Sequence, residues 1–232
     1  MVAGAAWMYI PTYLKIKRSA HEVVTTIMLN YIATSITELL VVTFFLPQTG
    51  IPPGGILTPD INPSAMVPQL PLLGANLSLG IIPTLTVAVL LFITTRRSVI
   101  GYSIRAVGSS PKAARYGGID VEKIVLLVML AGGAMAGLAG SIDVQFTEYR
   151  FSQSFSPGYG FSGIPVALIG RLDVAGIILA GLFMSALHIG ALSIQPVTGM
   201  PREISMLIEG LIVISAALPG AMELITSHLR AR

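Results

Sequence analysis

The sequence predicts an all-α integral membrane protein, a polytopic helical bundle with about six crossings. Charged residues make up 11% of the 232 residues, whereas soluble domains carry about 25%. The apolar residues occur in runs of about 20, which is the length that a helix needs to cross a ~30 Å hydrocarbon layer. Lysine and arginine collect in the segments between alternate runs, as they do on the cytoplasmic side of membrane proteins.

The N-terminal segment is apolar but too short to span a membrane. It has no preceding basic region and no obvious cleavage motif, so it does not read as a signal peptide. About ten apolar residues cover only half of a bilayer. We therefore expect this segment to be the end of a helix whose beginning lies outside the sequence.

Five strong apolar runs and one weaker run follow. Between 161 and 170 the apolar stretch is only half a span long and contains Pro165. Helices broken by proline or glycine are tolerated at membrane depth where protein or a water-filled path surrounds them. We interpret this stretch as a broken sixth crossing. The five strong runs are approximately 23–46, 81–95, 124–142, 174–194 and 204–218.

The distribution of basic residues supports six crossings with both termini in the cytoplasm. Of the 14 lysines and arginines, only Arg150 and Arg202 then fall on the outer side. Five crossings would place more of them outside. A net charge of +3 suggests no nucleic-acid partner, because the loops account for these cations. The cytoplasmic set is Lys15, Lys17, Arg18, Arg96, Arg97, Arg105, Lys112, Arg115, Lys123, Arg171, Arg230 and Arg232.

The basic loop at 96–123 is predicted to contain a short helix. Ser110 can cap it, Pro111 suits its first position, and the glycine pair 117–118 ends it. Asp120 then caps the next span. The loop either sets topology and touches anionic lipid, or docks a soluble motor. The loop carries cations at Arg105, Lys112 and Arg115 and an aromatic side chain at Tyr116.

Three segments resemble permeases of ATP-binding-cassette importers for simple sugars and nucleosides, the branched-chain amino acid and ribose-like family. The first is RAVG at 105–108 with PKAARYGGI at 111–119. The second is EVVTTIMLNYIA at 22–33, which favours the nucleoside branch. The third is GFSGI at 160–164 with VALIGR at 166–171. Their order along the chain also matches the family.

The resemblance implies a subunit of about ten helices, of which this chain would hold the fifth to the tenth, so the first half is expected to be missing. It implies a single transmembrane permease domain, 1–232, in the bacterial inner membrane. Expected partners are cytoplasmic ATPases, a second permease subunit, an external solute-binding protein and the lipid bilayer. No cofactor is expected, because the partner hydrolyses ATP. The implied docking residues are Arg105, Gly108, Pro111, Lys112, Ala114, Arg115, Tyr116 and Gly118.

Polar residues recur every four positions in the first predicted span, at Thr26, Asn30, Thr34 and Glu38. This spacing puts them on one face of a helix. Polar groups in hydrocarbon normally face the bundle interior or a wet cavity. The stripe therefore either lines the solute path or bonds to a neighbouring helix. In the broken segment, the residues assigned to the path are Phe161 and Ser162.

Two further features of the spans bear on packing. Gly133 and Gly137 form a Gly-x-x-x-Gly pair, which predicts a surface of close helix contact. Glu209, in the last predicted span, is a candidate for lining the path or for pairing with another residue.

The sequence offers weaker alternatives to transport. It contains no phosphate-binding P-loop motif, so we expect no ATPase activity of its own. Because the sequence has three histidines and no cysteine, we expect no metal cluster. Ser162 and His188 suggest a rhomboid-type intramembrane serine protease, but the residues between them cannot hold the complete span that this family places there. A non-transporting scaffold or fragment is the third possibility.

Overall fold

The computed structural model describes residues 1–45, 57–67, 69–72, 75–152 and 158–198, together with positions 207, 210, 211 and 215. The chain divides into two compact units, Met1–Ser156 and Pro157–Arg232. Apart from those four helical positions, the predicted last span at 204–218, with Glu209, lies outside the described residues.

The first unit is mainly helical. A 3-10 turn at Pro63–Ala65 and a two-stranded hairpin interrupt the helices, and a π-helical turn at Val144–Glu148 follows the last of them. The helices are α1 (Val2–Arg18), α2 (Glu22–Phe44), α3 (Ile81–Arg97), α4 (Val99–Ser109), α5 (Pro111–Tyr116) and α6 (Val121–Asp143), and the strands are β1 (Gln69–Leu72) and β2 (Ala75–Ser78). The second unit holds α7 (Tyr159–Ile169) and α8 (Val174–Thr198).

Three helices are long and apolar enough to cross a membrane, within the part of the chain that the structure describes. They are α2, α6 with its π-helical turn, and the Val174–Ala191 part of α8. Helices α3 and α4 make a fourth candidate if the pair is counted as one span bent by 73°. The all-α polytopic membrane fold is thus confirmed, while the number of six crossings stays a prediction.

Few apolar side chains are buried inside the described chain. Those that are belong to Pro11, Val41, Val107, Ala114, Ala180 and Met184. Most other large apolar residues of the spans face outward, such as Leu39 at 65% exposure and Leu179 at 69%. Such wide apolar surfaces are rare on soluble monomers and are the normal lipid-facing and subunit-facing surface of a membrane protein.

Helix α1 packs closely on α6 through glycines. A Cβ atom added to Gly133 would lie 2.5 Å from the Met8 Cβ, and one added to Gly137 would lie 3.3 Å from the Gly4 Cα. Real Cβ atoms do not approach as closely as the first distance and seldom approach as closely as the second. Glycine at 133 therefore lets the two backbones meet, and glycine at 137 avoids a tight contact. The predicted close-packing role of Gly133 and Gly137 is confirmed.

The end of α6 away from the basic loop is tied to the segment that follows α2. The Thr58 amide donates to the Phe151 carbonyl at 2.9 Å, and the Ile61 amide donates to the Tyr149 carbonyl at 2.8 Å. The Tyr149 hydroxyl donates to the Val67 carbonyl at 3.2 Å. Strands β1 and β2, which pair antiparallel with Gln69 opposite Ser78, extend the same segment. The sequence analysis did not predict this hairpin.

The second unit contains the short helix that the sequence analysis placed at 161–170. Helix α7 has 11 residues, and Pro165 lies inside it. At 1.5 Å per residue it is about 16 Å long, half of a hydrocarbon layer. A tight turn connects α7 to α8. Arg171 and Leu172 lie in this turn, and both have positive φ angles. The short, proline-containing helix is confirmed, and its role as a crossing stays a prediction.

Candidate functional site

The basic loop folds as its local chemistry predicts around α5. The Ser110 hydroxyl accepts a hydrogen bond from the Ala113 amide at 3.3 Å, and Pro111 occupies the first helical position. The Gly117 amide donates to the Ala113 carbonyl at 3.0 Å, and Gly118, with φ of 80°, turns the chain out of the helix. Such a positive φ favours glycine because it has no Cβ. The predicted cap and terminators are confirmed.

Helix α5 is anchored on one side and exposed on the other. It contacts both α4 and α6, and Ala114 is its one buried residue, at 4% exposure. Lys112, Arg115 and Tyr116 are exposed, with Tyr116 at 95%. Because residues three and four apart share a helix face, these three side chains form one surface, which we call the coupling surface. It combines two cations with one aromatic ring.

Gly108 lies near the end of α4, and packing within the described residues does not require a glycine there. A Cβ added there would meet no atom within 4 Å. Its small size is therefore not explained by the contacts of the described chain, in contrast to Gly101 in the same helix.

The bend before α5 was not predicted. The segment 96–123 was expected to be one loop with a short helix, whereas 99–109 is also helical and leaves α3 at 73°. Ser98 lies at the bend, where its hydroxyl donates to the Thr94 carbonyl at 2.6 Å and accepts from the Gly101 amide at 3.0 Å. The Arg105 guanidinium donates to the Thr95 carbonyl. Ser98 directly before an apolar run was an available signal, since serine favours N-cap positions.

Asp120 begins α6, as predicted. Its carboxylate accepts from the Lys123 amide at 3.2 Å and pairs with the Lys123 ammonium at 3.0 Å. These hydrogen bonds from the Lys123 side chain and backbone lower the pKa of Asp120 below its usual value of 3.8. The carboxylate thus closes the basic loop and starts the next span.

The polar stripe lies on α2 as predicted, at the same four-residue interval. Asn30 and Thr34 are exposed, while Thr26 and Glu38 are half-buried. The Thr26 hydroxyl donates to the Glu22 carbonyl at 2.8 Å, and the Thr34 hydroxyl donates to the Asn30 carbonyl at 3.0 Å. Both threonines therefore bond to their own helix. Whether the stripe lines a path or contacts another helix stays open.

The remaining predicted residues belong to the second unit. Phe161 and Ser162 lie exposed in the first turn of α7, where the Ser162 amide donates to the Gly158 carbonyl at 3.1 Å. His188 is half-buried on α8. The assignment of Phe161 and Ser162 to the solute path stays a prediction.

The chain is similar to known transport proteins along most of its length. The protein family described as branched-chain amino acid transport system / permease component matches residues 1–217. The guanosine ABC transporter permease protein NupP of Bacillus subtilis is 35% identical over 237 residues, covering 98% of this chain and 65% of that protein. The glucose ABC transporter permease protein TsgB13 of Haloferax volcanii is 32% identical over 220 residues, covering 92% of this chain and 58% of that protein.

A third relative agrees with these two. The nucleoside ABC transporter permease protein NupB of Lactococcus lactis is 31% identical over 236 residues, covering 100% of this chain and 65% of that protein. The chain thus spans between 58% and 65% of the length of these three relatives. No solved structure matches the chain significantly.

Proposed function

The chain belongs to the family of branched-chain amino acid transport system permease components, and on that premise we propose that it is membrane-spanning machinery of an ATP-driven importer. It would move a small polar solute, a nucleoside or a simple sugar, by alternating access. The residues 1–217 that match the family include the basic loop, the α2 stripe and the broken helix. The family match favours transport over the alternative of a serine protease built on Ser162 and His188.

The coupling surface is the observation that carries the proposal. Lys112, Arg115 and Tyr116 are exposed on a capped helix whose other side is held by Ala114. A helix of six residues fixed at its base suits transmission of force better than a loop that only neutralises lipid charge. Within the described part of the chain, no hydrogen bond or ion pair engages the side chain of Lys112 or Arg115. Both are available to a cytoplasmic ATPase.

The other members of the predicted docking set lie in α4 and at the ends of α5. Pro111 starts α5 and Gly118 turns the chain out of it. Gly108, near the end of α4, has no atom within 4 Å of the position that a Cβ would occupy. Arg105 precedes it on α4. The region 96–123 thereby acts as the docking loop of the permease domain 1–232.

The proposed assembly contains two permease subunits and two cytoplasmic ATPases. An extracytoplasmic solute-binding protein delivers the solute, and the ATPases supply the nucleotide chemistry, so the chain needs no cofactor of its own. The assembly lies in the bacterial plasma membrane, with both termini of this chain in the cytoplasm. ATP binding shifts the helices between outward and inward states only if the ATPases contact the coupling surface differently in the two states.

Nucleosides are the favoured solutes. Two of the three relatives above are named for guanosine or nucleoside transport, and the third is named for glucose. The Asn30 amide and the Glu38 carboxyl are suitable hydrogen-bonding partners for hydroxyls or for the edge of a base. Uptake of labelled nucleosides and pentoses, measured in cells that carry the whole transport operon, distinguishes the two classes.

Reversing the charge of the coupling surface tests the docking assignment. We expect the double variant Lys112→Glu and Arg115→Glu to insert normally but to lose ATPase co-purification and at least about tenfold of uptake, because close like charges repel the partner. Lys17→Glu with Arg18→Glu is the matched control, since these are exposed cations of α1 outside the surface. Full uptake and ATPase binding in the coupling-surface variant would refute the assignment.

Topology gives an independent test. The chain has no cysteine, so a single cysteine at Ala113, which is exposed on α5, can be labelled without removing others. We expect an impermeant maleimide to label it from the cytoplasmic side only. Labelling from the outside would rule out contact with a cytoplasmic ATPase.

A further inference from the structure

The junction of α3 and α4 is held by several polar contacts around Ser98. The two helices meet there at 73°. The Ser98 hydroxyl donates to Thr94 of α3 at 2.6 Å and accepts from Gly101 of α4 at 3.0 Å. One side chain thus caps the start of α4 and satisfies a carbonyl at the end of α3, which has lost its helical partner. We call this junction the elbow.

Gly101 allows the elbow to close. It is buried, and a Cβ added to it would contact the Thr94 and Thr95 carbonyl groups and lie 2.6 Å from the Thr95 carbonyl carbon. Backbone atoms cannot turn aside as a flexible side chain can. The last turn of α3 and the first turn of α4 are therefore in direct backbone contact.

Arg105 completes the elbow from one turn further along α4. Its guanidinium donates to the Thr95 carbonyl, ten residues earlier in the chain. A cation near the C-terminus of a helix is stabilised both by the free carbonyls and by the helix dipole. Ser98, Gly101 and Arg105 thus join the two helices at three points that lie at different distances from the bend.

The elbow is continuous with the coupling surface. The Ser110 amide at the start of α5 donates to the Ala106 carbonyl of α4 at 3.1 Å. Val107 and Ala114 are both buried, at 8% and 4% exposure. Helix α5 is therefore fixed to α4, and α4 is fixed to α3.

We propose that Arg105 is a positioning residue that makes α3 and α4 move as one rigid body, rather than a residue that contacts the ATPase. This inference rests on the proposed function, because it concerns how displacement of α5 reaches a span. An ATPase that pushes α5 then turns α3, instead of bending the chain at Ser98. All three cations are exposed. Arg105 differs from Lys112 and Arg115 because its guanidinium donates to the Thr95 carbonyl, whereas no hydrogen bond or ion pair engages the other two side chains among the described residues.

Spin-label distances in the complete transporter test the rigidity directly. Cysteines replace the exposed residues Val89 on α3 and Ser109 on α4, and neither residue belongs to the coupling surface. In the chain with native Arg105 we expect one narrow distance distribution that is the same with and without ATP. Arg105→Met removes the donor and keeps an unbranched side chain, and we expect it to broaden the distribution.

Transport and binding assays separate positioning from docking. We expect Arg105→Met to retain ATPase co-purification while uptake falls about tenfold, in line with the loss of a charge-assisted hydrogen bond. Arg105→Lys, which keeps the cation, should recover part of the uptake and of the narrow distribution. A narrow distribution in Arg105→Met, a distance that shifts with ATP in the native chain, or loss of ATPase binding by Arg105→Met would each overturn the proposal.

The same assays distinguish this proposal from the docking assignment. If the double variant of Lys112 and Arg115 still binds the ATPase, the docking assignment is wrong, whatever Arg105 does. If that variant loses binding and Arg105→Met leaves both distance and uptake unchanged, docking stands and the rigid elbow is refuted.

Discussion

The two ends of α6 are built in different ways. At its N-terminus, the segment 98–120 is organised by hydrogen bonds between residues close in sequence, such as Ser110 with Ala113 and Asp120 with Lys123. At its C-terminus, Thr58 bonds to Phe151 and Tyr149 bonds to Val67, pairs that are 93 and 82 residues apart. The first end can form as soon as its own residues are in place. The second requires α2 and α6 to be positioned already, since long loops must close first.

This difference predicts two responses to substitution. Changes that crowd the backbone near the N-terminus of α6 should cost the most stability, whereas loss of a single hydrogen bond near its C-terminus should cost less. A residue in direct backbone contact has no neighbour that can move away. A hydrogen bond between distant segments is one of several, so its loss leaves the others in place.

The largest effect is expected at Gly101. Replacing it by alanine puts a Cβ against the Thr94 and Thr95 carbonyls, and we expect a loss of about 3 kcal/mol of stability. Gly108→Ala is the matched control in the same helix, because its Cβ would meet nothing within 4 Å. Alanine is also favoured over glycine in helices by up to about 1 kcal/mol. Thermal unfolding in detergent measures both variants, and equal melting temperatures would remove the contrast between the two glycines.

An intermediate effect is expected at the distant end. Tyr149→Phe removes the hydrogen bond to the Val67 carbonyl at a cost of about 1 kcal/mol. We expect residues 57–67 to become more accessible to protease while α5 stays protected. Tyr102→Phe on α4 is the control, since Tyr102 is 62% exposed and no side-chain hydrogen bond engages it among the described residues. Equal protease sensitivity of the two variants would show that the Tyr149 contact does not hold this segment.

The smallest effect is expected from protonation of Asp120. Its pKa is lowered in the folded chain by the hydrogen bonds from Lys123, so the folded state holds this proton less tightly than the unfolded state does. The stabilisation is complete above the usual pKa of 3.8 and is lost as the pH falls through the lower folded value. We therefore expect the melting temperature of the native chain to exceed that of Asp120→Asn at pH 6, with the difference shrinking below pH 4. A difference that grows with acidity would contradict this assignment.

The same division explains what the sequence could and could not predict. Ser110, Pro111, Gly118 and Asp120 act through bonds within four residues, so their roles follow from residue type and spacing. The length and apolarity of α2, α6 and α8 follow from the requirement to cross lipid. The close packing at Gly133 was also predictable, although its partner α1 was not.

The features that were not predicted from the sequence have different causes. The bonds from 57–67 to Tyr149 and Phe151 join segments separated by four helices. The hairpin at 69–78 pairs neighbouring strands, but it lies in a proline- and glycine-rich stretch, which favoured a loop. The bend at Ser98 was closer to prediction, because a serine stands before an apolar run. The surrounding basic residues outweighed that signal, because they favoured a cytoplasmic loop over the whole segment.

The back-bonded threonines of α2 bear on which solutes suit the proposed path. Because the hydroxyl hydrogens of Thr26 and Thr34 point at carbonyls of their own helix, each oxygen offers only lone pairs to a passing molecule. The Asn30 amide is then the one proton donor among the three. A lining of this kind accepts hydrogen bonds from hydroxyl and amino groups but offers few donors to a phosphate or carboxylate. Uncharged molecules with many hydrogen-bond donors would therefore pass where their phosphorylated forms would not.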